Sequence, residues 1–271
     1  MAIHNRIDLT LRCLDSLGES DKLELRYFIA DDGSTDGSRA EISKLGLSVK
    51  FISGNGNWFW AKSMSMAQKA IDIDSDEIIW INNDVVLTAD WKERFSTSRK
   101  LYPDAILVGQ FADPINGMGT YGGYRRIGRN PLKYEQIFSP RSHIQVDTFN
   151  GNFIAIPNSV TKIIGEIDGE FAHAYADCDF GLRAKKNGIV SILIPGFLGI
   201  CSANPSKKHS NIFSEITEHF SRKRSPLKSQ IRFLSRHGTI EWPIYCITPI
   251  LKIWLSSIER KFSSIPNWLK N

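Results

Sequence analysis

The chain has 271 residues and only four cysteines, Cys13, Cys178, Cys201 and Cys246, no two of them at C-x-x-C spacing. That scatter argues against a structural zinc site and fits reduced thiols. No run of about 18 apolar residues occurs, so no membrane-spanning helix is expected. The opening Met1-Ala2-Ile3-His4-Asn5-Arg6 lacks the apolar segment of a secretion signal. Internal repeats and low-complexity stretches are missing too, which argues against repeat and fibrous architectures.

What is present is ordinary for a soluble globular protein: 42% hydrophobic and 23% charged residues. The length suits one large domain with an appendage, or two small domains. Charge is uneven. Residues 205–271 carry 12 Lys and Arg against 4 Asp and Glu, a net of +8 within a total of +5, which leaves −3 for residues 1–204. A basic tail on an acidic body suits an anionic surface. The chain shows no nucleic-acid-binding module, and no nucleic acid partner is expected.

Apolar runs alternate with helical patterns. Strands are predicted over Leu25–Ala30, Ser48–Ile52, Ile78–Ile81, Ala105–Gly109, Phe153–Pro157 and Val190–Ile194. Helices are predicted over Asp8–Leu17, Asp36–Lys44, Ala61–Ile71 and Asn158–Ile164. In the first of these regions, residues 7, 11, 14 and 17 form an apolar stripe. The alternation implies an α/β fold with a mainly parallel sheet. Gly117–Gly128 reads as a mobile loop with Tyr121 and Tyr124 as aromatic contacts. Beyond Asn204 the pattern shifts to two amphipathic helices separated near Gly238–Pro243.

Acidic clusters stand at the ends of two predicted strands. Asp31-Asp32-Gly33-Ser34-Thr35-Asp36-Gly37 follows the first, and Asn82-Asn83-Asp84 follows Ile78–Ile81. Parallel strands present functional groups past their carboxyl ends, so both clusters belong on one rim. Carboxylates gathered there repel unless something positive joins them, and a divalent cation bridging to a diphosphate would do so. Asp31 or Asp32 can accept from a base N–H or a ribose hydroxyl; equally, the segment is a turn with capping residues, and both can hold. Asp84 is a hard oxygen ligand and Asn82 a neutral one; the alternative is a polar strand end. Asp177 stands at the edge of a predicted helix, where an ionised carboxylate is favoured and can act as general base; the alternative is that Asp177 or Asp179 is the helix cap. Lys62 can reach a diphosphate or stand as a solvated lysine, His173 can touch a ligand or be a surface or core histidine, and Trp58, Phe59 and Trp60 can serve as core or sugar platform.

In this order the segments resemble the inverting family 2 glycosyltransferases of GT-A fold. His4-Asn5-Arg6 with Leu9-Thr10 and Cys13-Leu14 is similar to the family's opening. Asp31–Gly37 resembles its nucleotide turn, and Gly54-Asn55-Gly56-Asn57 through Ala70 its Gly-Asn loop and helix. Asn82-Asn83-Asp84 stands at its Asp-x-Asp. Phe149-Asn150-Gly151-Asn152-Phe153-Ile154 resembles its acceptor-side strand, and Tyr175–Phe180 with Arg183 its base-carrying helix start.

The resemblance implies a GT-A domain over residues 1–204 and a basic, amphipathic helical extension over 205–271. It implies Asp177 as the base and Asp84 with Asn82 as holders of Mg²⁺ or Mn²⁺. Substrate contacts are expected from Asp31, Asp32, Asn55, Asn57, Lys62 and Asn83. Further contacts are expected from Asn150, Gly151, Asn152, His173 and Asp179. The implied partners are a nucleoside diphosphate sugar, UDP- or dTDP-linked, and a lipid-linked or oligosaccharide acceptor. The expected role is in bacterial surface polysaccharide, O-antigen or capsule, in the cytoplasm at the inner face of the cytoplasmic membrane. The alternative is a non-catalytic nucleotide-sugar-binding or scaffold protein. Three departures stand out. Only Met1-Ala2-Ile3 precedes His4, so a stub of a first strand is expected; Asn82 replaces an acid; and Ala176 stands where an acid often precedes the base.

Overall fold

Phe153-Ile154-Ala155-Ile156-Pro157 contains no polar side chain and is buried throughout. A strand covered on both faces needs this kind of uninterrupted apolar run. Neighbouring side chains along it enter different cores. Phe153 and Ala155 join a cluster with Cys13, Leu14, Trp91 and Phe95. Ile154 and Ile156 join another with Met64, Phe180 and Phe233. The strand is therefore the middle layer of a helix–sheet–helix sandwich.

The computed structural model describes residues 1–18, 23–71, 75–172, 174–204, 217, 221 and 226–263. Its elements in chain order are β1 (Ala2–Ile3), α1 (Ile7–Leu17), β2 (Tyr27–Asp31), α2 (Ser38–Ser43), β3 (Val49–Ser53), α3 (Phe59–Lys69) and β4 (Glu77–Ile81). Then come β5 (Val86–Leu87), α4 (Trp91–Leu101), β6 (Ile106–Val108), β7 (Phe111–Ala112), β8 (Gly119–Tyr121), β9 (Gly123–Arg126) and β10 (Tyr134–Ile137). They are followed by β11 (Ile144–Val146), β12 (Thr148–Phe149), β13 (Phe153–Pro157), α5 (Asn158–Ile164), α6 (Ala176–Lys186), β14 (Ser191–Leu193) and β15 (Gly199–Ile200). The last two are α7 (Leu227–His237) and α8 (Trp242–Ser263).

β1, β2 and β3 form a parallel sheet, with Asp31 at its carboxyl rim opposite Ile3 and Ser53. The larger sheet runs β11-β14-β6-β13-β4, with β6 and β14 parallel and β13 antiparallel to both neighbours. The expected stub is found: β1 has two residues, and a cavity of about 580 Å³ lies between β2 and β4, flanked by α3 and α4. Gly117–Gly128 is not a structureless loop. Its backbone forms β8, paired with β7, and the whole of β9, paired with β10 and β12.

Helix α7 lies on the body of the molecule. Phe233 is fully buried and stacks on Tyr175, just before α6, at 4.9 Å between ring centroids. Helix α8 packs on α7 and leaves Ile244, Ile247, Leu251, Trp254 and Leu255 exposed. None of the described helices is long and apolar enough to cross a membrane.

Candidate active site

Three elements bring their ends together: β2 with its following turn, β4 with Asn82–Asp84, and the Asn150–Asn152 turn leading into β13. On the first, Asp31 is buried and accepts from Ser34 N–H at 2.9 Å. Asp32, also buried, does more. One oxygen accepts Gly56 N–H at 2.8 Å, and the other accepts Trp58 N–H and Phe59 N–H at 2.8 and 3.1 Å. Its carboxylate thus pins the 54–59 loop, and substrate contact expected of that carboxylate would have to share it with three backbone donors. The loop fits only with glycine at 54, where a Cβ would stand 2.5 Å from Asp32 Oδ1. Asn55 and Asn57 are exposed and brace one another, Asn57 N–H donating to Asn55 Oδ1 at 3.1 Å. They stay available to a ligand above the loop.

The second element divides its three polar residues among three tasks. Asn83, expected to contact substrate, is buried and donates to Thr10 Oγ1 of α1 at 3.0 Å, which anchors the turn to that helix. Asn82 was expected to ligate metal. Instead its carboxamide oxygen accepts the Trp60 indole N–H at 2.7 Å, and its nitrogen donates to Asn152 at 3.3 Å. Asp84 keeps an open carboxylate, with side-chain exposure of 32% and Arg6 Nη1 at 3.2 Å. Cys201 Sγ lies 3.7 Å from its other oxygen. Burial first, and then Asp84, push that thiol up to about 12, so it stays protonated.

A hard divalent cation fits this donor set as a one-carboxylate site. Asp84 would hold a Mg²⁺ or Mn²⁺, which would supply charge neutralisation beside a diphosphate. Among the described residues no three His, Cys, Asp or Glu side chains converge on one point.

The third element joins the Asn82–Asp84 turn to Asp177. Asn152 is buried between Asn82 and Cys201. Gly151 lies against the Trp60 ring, where a Cβ would meet Cζ2 at 2.4 Å. Gly151 N–H donates to Asp177 Oδ2 at 3.0 Å, and Cys178 N–H donates to Asp177 Oδ1 at 2.8 Å. Burial raises the Asp177 carboxyl above its usual range, against these two donors. A base poised closer to neutrality is better matched to proton removal. Asn150 accepts from the Tyr124 hydroxyl at 2.6 Å, and burial pushes that phenol up, so it remains a donor.

Two expected contacts fall elsewhere. Asp179 has no solvent exposure and is bonded by Arg183, Arg236 and His237, so it stands as a structural carboxylate rather than a substrate ligand. Lys62 lines a separate polar cavity of about 420 Å³ with Glu166, Asp168, Glu170 and Arg236. His173 lies outside the described residues. Sequence reasoning gave no role to Arg6, Cys201, Arg236 or His237; only Arg6 had a signal, through its place in the Asn5-Arg6 segment.

Among the described residues, three other than glycine take left-handed backbone, Asn5 (φ 50°), Phe59 (φ 58°) and Tyr175 (φ 76°). Each stands within two residues of the start of an element that serves the site: α1, α3 and α6. Such conformations cost about 1–3 kcal/mol each and collect where function over-determines the backbone.

Solved structures of similar architecture include a mannosyltransferase from Pyrobaculum calidifontis in complex with GDP-Man and Mn²⁺, with TM-score 0.56 at 13% identity, covering 98% of this chain and 74% of that one. S. aureus TarS 1–349 in complex with UDP-GlcNAc gives TM-score 0.58 at 14% identity, covering 99% and 76%. GalNAc-T7 with UDP, GalNAc and Mn²⁺ gives 0.59 at 12%, covering 97% and 57%. At these identities the likeness establishes the GT-A fold. Curated proteins gave no match. Residues 1–162, more than half of the chain, match the profile of glycosyl transferase family 2, and the chain belongs to that family.

Proposed function

We propose that this family 2 glycosyltransferase is inverting and metal-dependent, and moves a hexosyl or deoxyhexosyl group from a UDP- or dTDP-sugar to an acceptor hydroxyl. The observation that carries this reading is the Asn150–Asn152 turn. It bonds Asp177 through Gly151 N–H and bonds the Asn82–Asp84 turn through Asn152. One turn would therefore set the proposed proton acceptor relative to the carboxylate proposed to hold the cation.

In the mechanism, Asp177 accepts the proton of the acceptor hydroxyl as that oxygen attacks the anomeric carbon. The sugar–diphosphate bond breaks on the opposite face, and a single displacement inverts the centre. Asp31 and the exposed Asn55 and Asn57 line the donor side. Arg6, already against Asp84, adds positive charge where the diphosphate leaves. The divalent ion, when bound at Asp84, supplies further charge neutralisation for that group.

The acceptor is proposed to be a lipid-linked saccharide or oligosaccharide of a bacterial surface polysaccharide, O-antigen or capsule. Support comes from α8, whose exposed Ile244, Ile247, Leu251, Trp254 and Leu255 share one face in a segment of net +8. An apolar face beside basic residues suits an anionic bilayer surface, here the inner face of the cytoplasmic membrane.

The test is Asp177→Asn, assayed by sugar transfer and by UDP titration with Mn²⁺. A general base supplies about 10²- to 10⁴-fold. Turnover should fall by that much with UDP affinity unchanged. Undiminished turnover would remove Asp177 from the role, whereas a wild type that binds UDP but transfers no sugar would favour a non-catalytic, donor-binding protein.

A further inference from the structure

Asp179 follows Asp177 by two residues in the first turn of α6, and it is completely buried. Its Oδ2 accepts Arg183 Nε at 2.8 Å, from the next turn of the same helix. Its Oδ1 accepts two donors from the end of α7, Arg236 Nη1 at 2.7 Å and His237 Nε2 at 2.8 Å. Nδ1 of His237 meets no polar partner among the described residues, so the ring proton sits on Nε2, facing the carboxylate. Arg236 also reaches Asp168 Oδ2 at 2.9 Å, and Arg232 bonds the same oxygen at 2.8 Å. Arg183 continues to Glu166 O at 2.8 Å. Residues 164–168, α6 and α7 are thus tied through two carboxylates.

The same helix α7 also grips the residue in front of α6. Phe233 stacks on Tyr175, whose φ of 76° turns the chain into the helix. Asp177 therefore lies between two points that α7 holds. A buried ion cluster is a costly way to glue two helices, since apolar residues of equal volume often do as well or better. What charged hydrogen bonds add is direction. Here the direction fixed is the rotation of the first turn of α6.

We propose that Arg236 and His237 are positioning residues for Asp177: through Asp179 they hold the first turn of α6 so that the Asp177 carboxylate meets the acceptor hydroxyl. The inference rests on Asp177 being the base, and it places part of the active-site support beyond residue 204.

The experiment uses the full chain with His237→Leu and His237→Gln. Three readouts are taken: Mn²⁺-supported UDP titration, turnover of whichever of UDP-glucose, UDP-GlcNAc or dTDP-rhamnose the wild type consumes fastest, and hydrogen exchange across residues 176–183. For His237→Leu, UDP affinity stays within about twofold, kcat falls at least about tenfold, and exchange in the first turn rises at least about tenfold. His237→Gln keeps an N–H donor and recovers kcat to within about threefold. A folded Leu variant with unchanged kcat or unchanged exchange overturns the proposal. So does a parallel loss of kcat and UDP affinity that Gln fails to rescue. If His237→Leu does not fold, Arg236→Lys decides, since it keeps the charge but loses the fork between Asp168 and Asp179. Reduced kcat with intact UDP binding supports the proposal, and unchanged kcat overturns it. A wild type that consumes no donor sinks the catalytic reading, while the exchange arm still reports on the tie.

Discussion

Asp177 and Asp84 are both carboxylates at the rim, yet their surroundings assign them different work. Burial raises Asp177. If it is the base, it must be ionised, so kcat should fall as pH drops through its raised value, on a limb above the ordinary carboxylate range near 3.8. A pH–rate profile of wild-type enzyme checks this; a flat profile down to pH 4 would contradict it. Asp84 is half-buried and, among the described residues, meets exposed Arg6 and the Cys201 thiol. Asp84→Ala should weaken Mn²⁺-dependent UDP binding at least about tenfold, about 1.4 kcal/mol, while metal-free binding changes little. Calorimetric titration with and without EDTA separates the two. Gly151→Ala tests the joint between them. Its Cβ would stand 2.4 Å from Trp60 Cζ2, so the ring or the turn must shift. Overpacking of this kind costs about 1–3 kcal/mol, readable by urea unfolding, and turnover should drop with it. At this scale the acidic residues were visible in the sequence, but their division of labour was not. Nothing near Asn82 in sequence announces that Trp60, 22 positions earlier, will take its oxygen. Nor does Asp32 show in advance that the amides of a loop 24 to 27 residues on will fill it.

Among the elements, the buried runs were the easiest to read. Phe153–Pro157 stands where its pattern puts it, because it has no polar position that could sit otherwise, and Asn158–Ile164 follows directly after Pro157, mostly polar and burying Val160. Helix α4 was not foreseen. Its sequence, WKERFSTSRKL, offers only Trp91, Phe95 and Ser98 to the core and is mostly polar. The short strands β8 to β10 were hidden because pairing across the sheet, not side-chain pattern, defines them. The α6–α7 contact has a pH signature of its own. Burial holds His237 below its ordinary 6.5, ahead of its bond to Asp179. As pH falls through 6.5, the unfolded chain takes up that proton while the folded chain does not, so stability declines. Asp168 and Asp179 are pushed up by burial, but their Arg and His partners bring them below the usual range. Their contribution is present above the ordinary carboxylate value and is lost as pH drops through their lowered ones. Wild-type melting temperature should therefore fall from pH 7 to 5 and again below 4, and His237→Gln should flatten the first step. A melting temperature independent of pH over 5–7 in wild type would contradict the assignment.

For the whole molecule, composition alone marked an acidic body and a basic tail, and the fold class followed from the alternation of runs. What the order of residues could not convey is that the tail has two different faces. Helix α7 turns Phe233 and Leu234 into the body, whereas α8 turns its apolar stripe to solvent. If that stripe lies on a bilayer, full-length protein should sediment with vesicles of anionic lipid and less with neutral ones. Ile247→Asp with Leu251→Asp should release it without changing UDP affinity. Equal sedimentation by this double variant would assign the stripe another occupant.

The position of α7 also bears on how deletion data are interpreted. A version of the chain stopped at Asn204 would strip Arg236 and His237 from Asp179 and uncover the ring of Tyr175. Removing one partner of a buried ion pair typically costs about 3–5 kcal/mol. Such a truncation would confound two losses, the proposed membrane address and the proposed support of Asp177, and an inactive product would say nothing about lipid. Only point changes confined to the outer stripe of α8 can ask where the enzyme sits without also asking whether it still works.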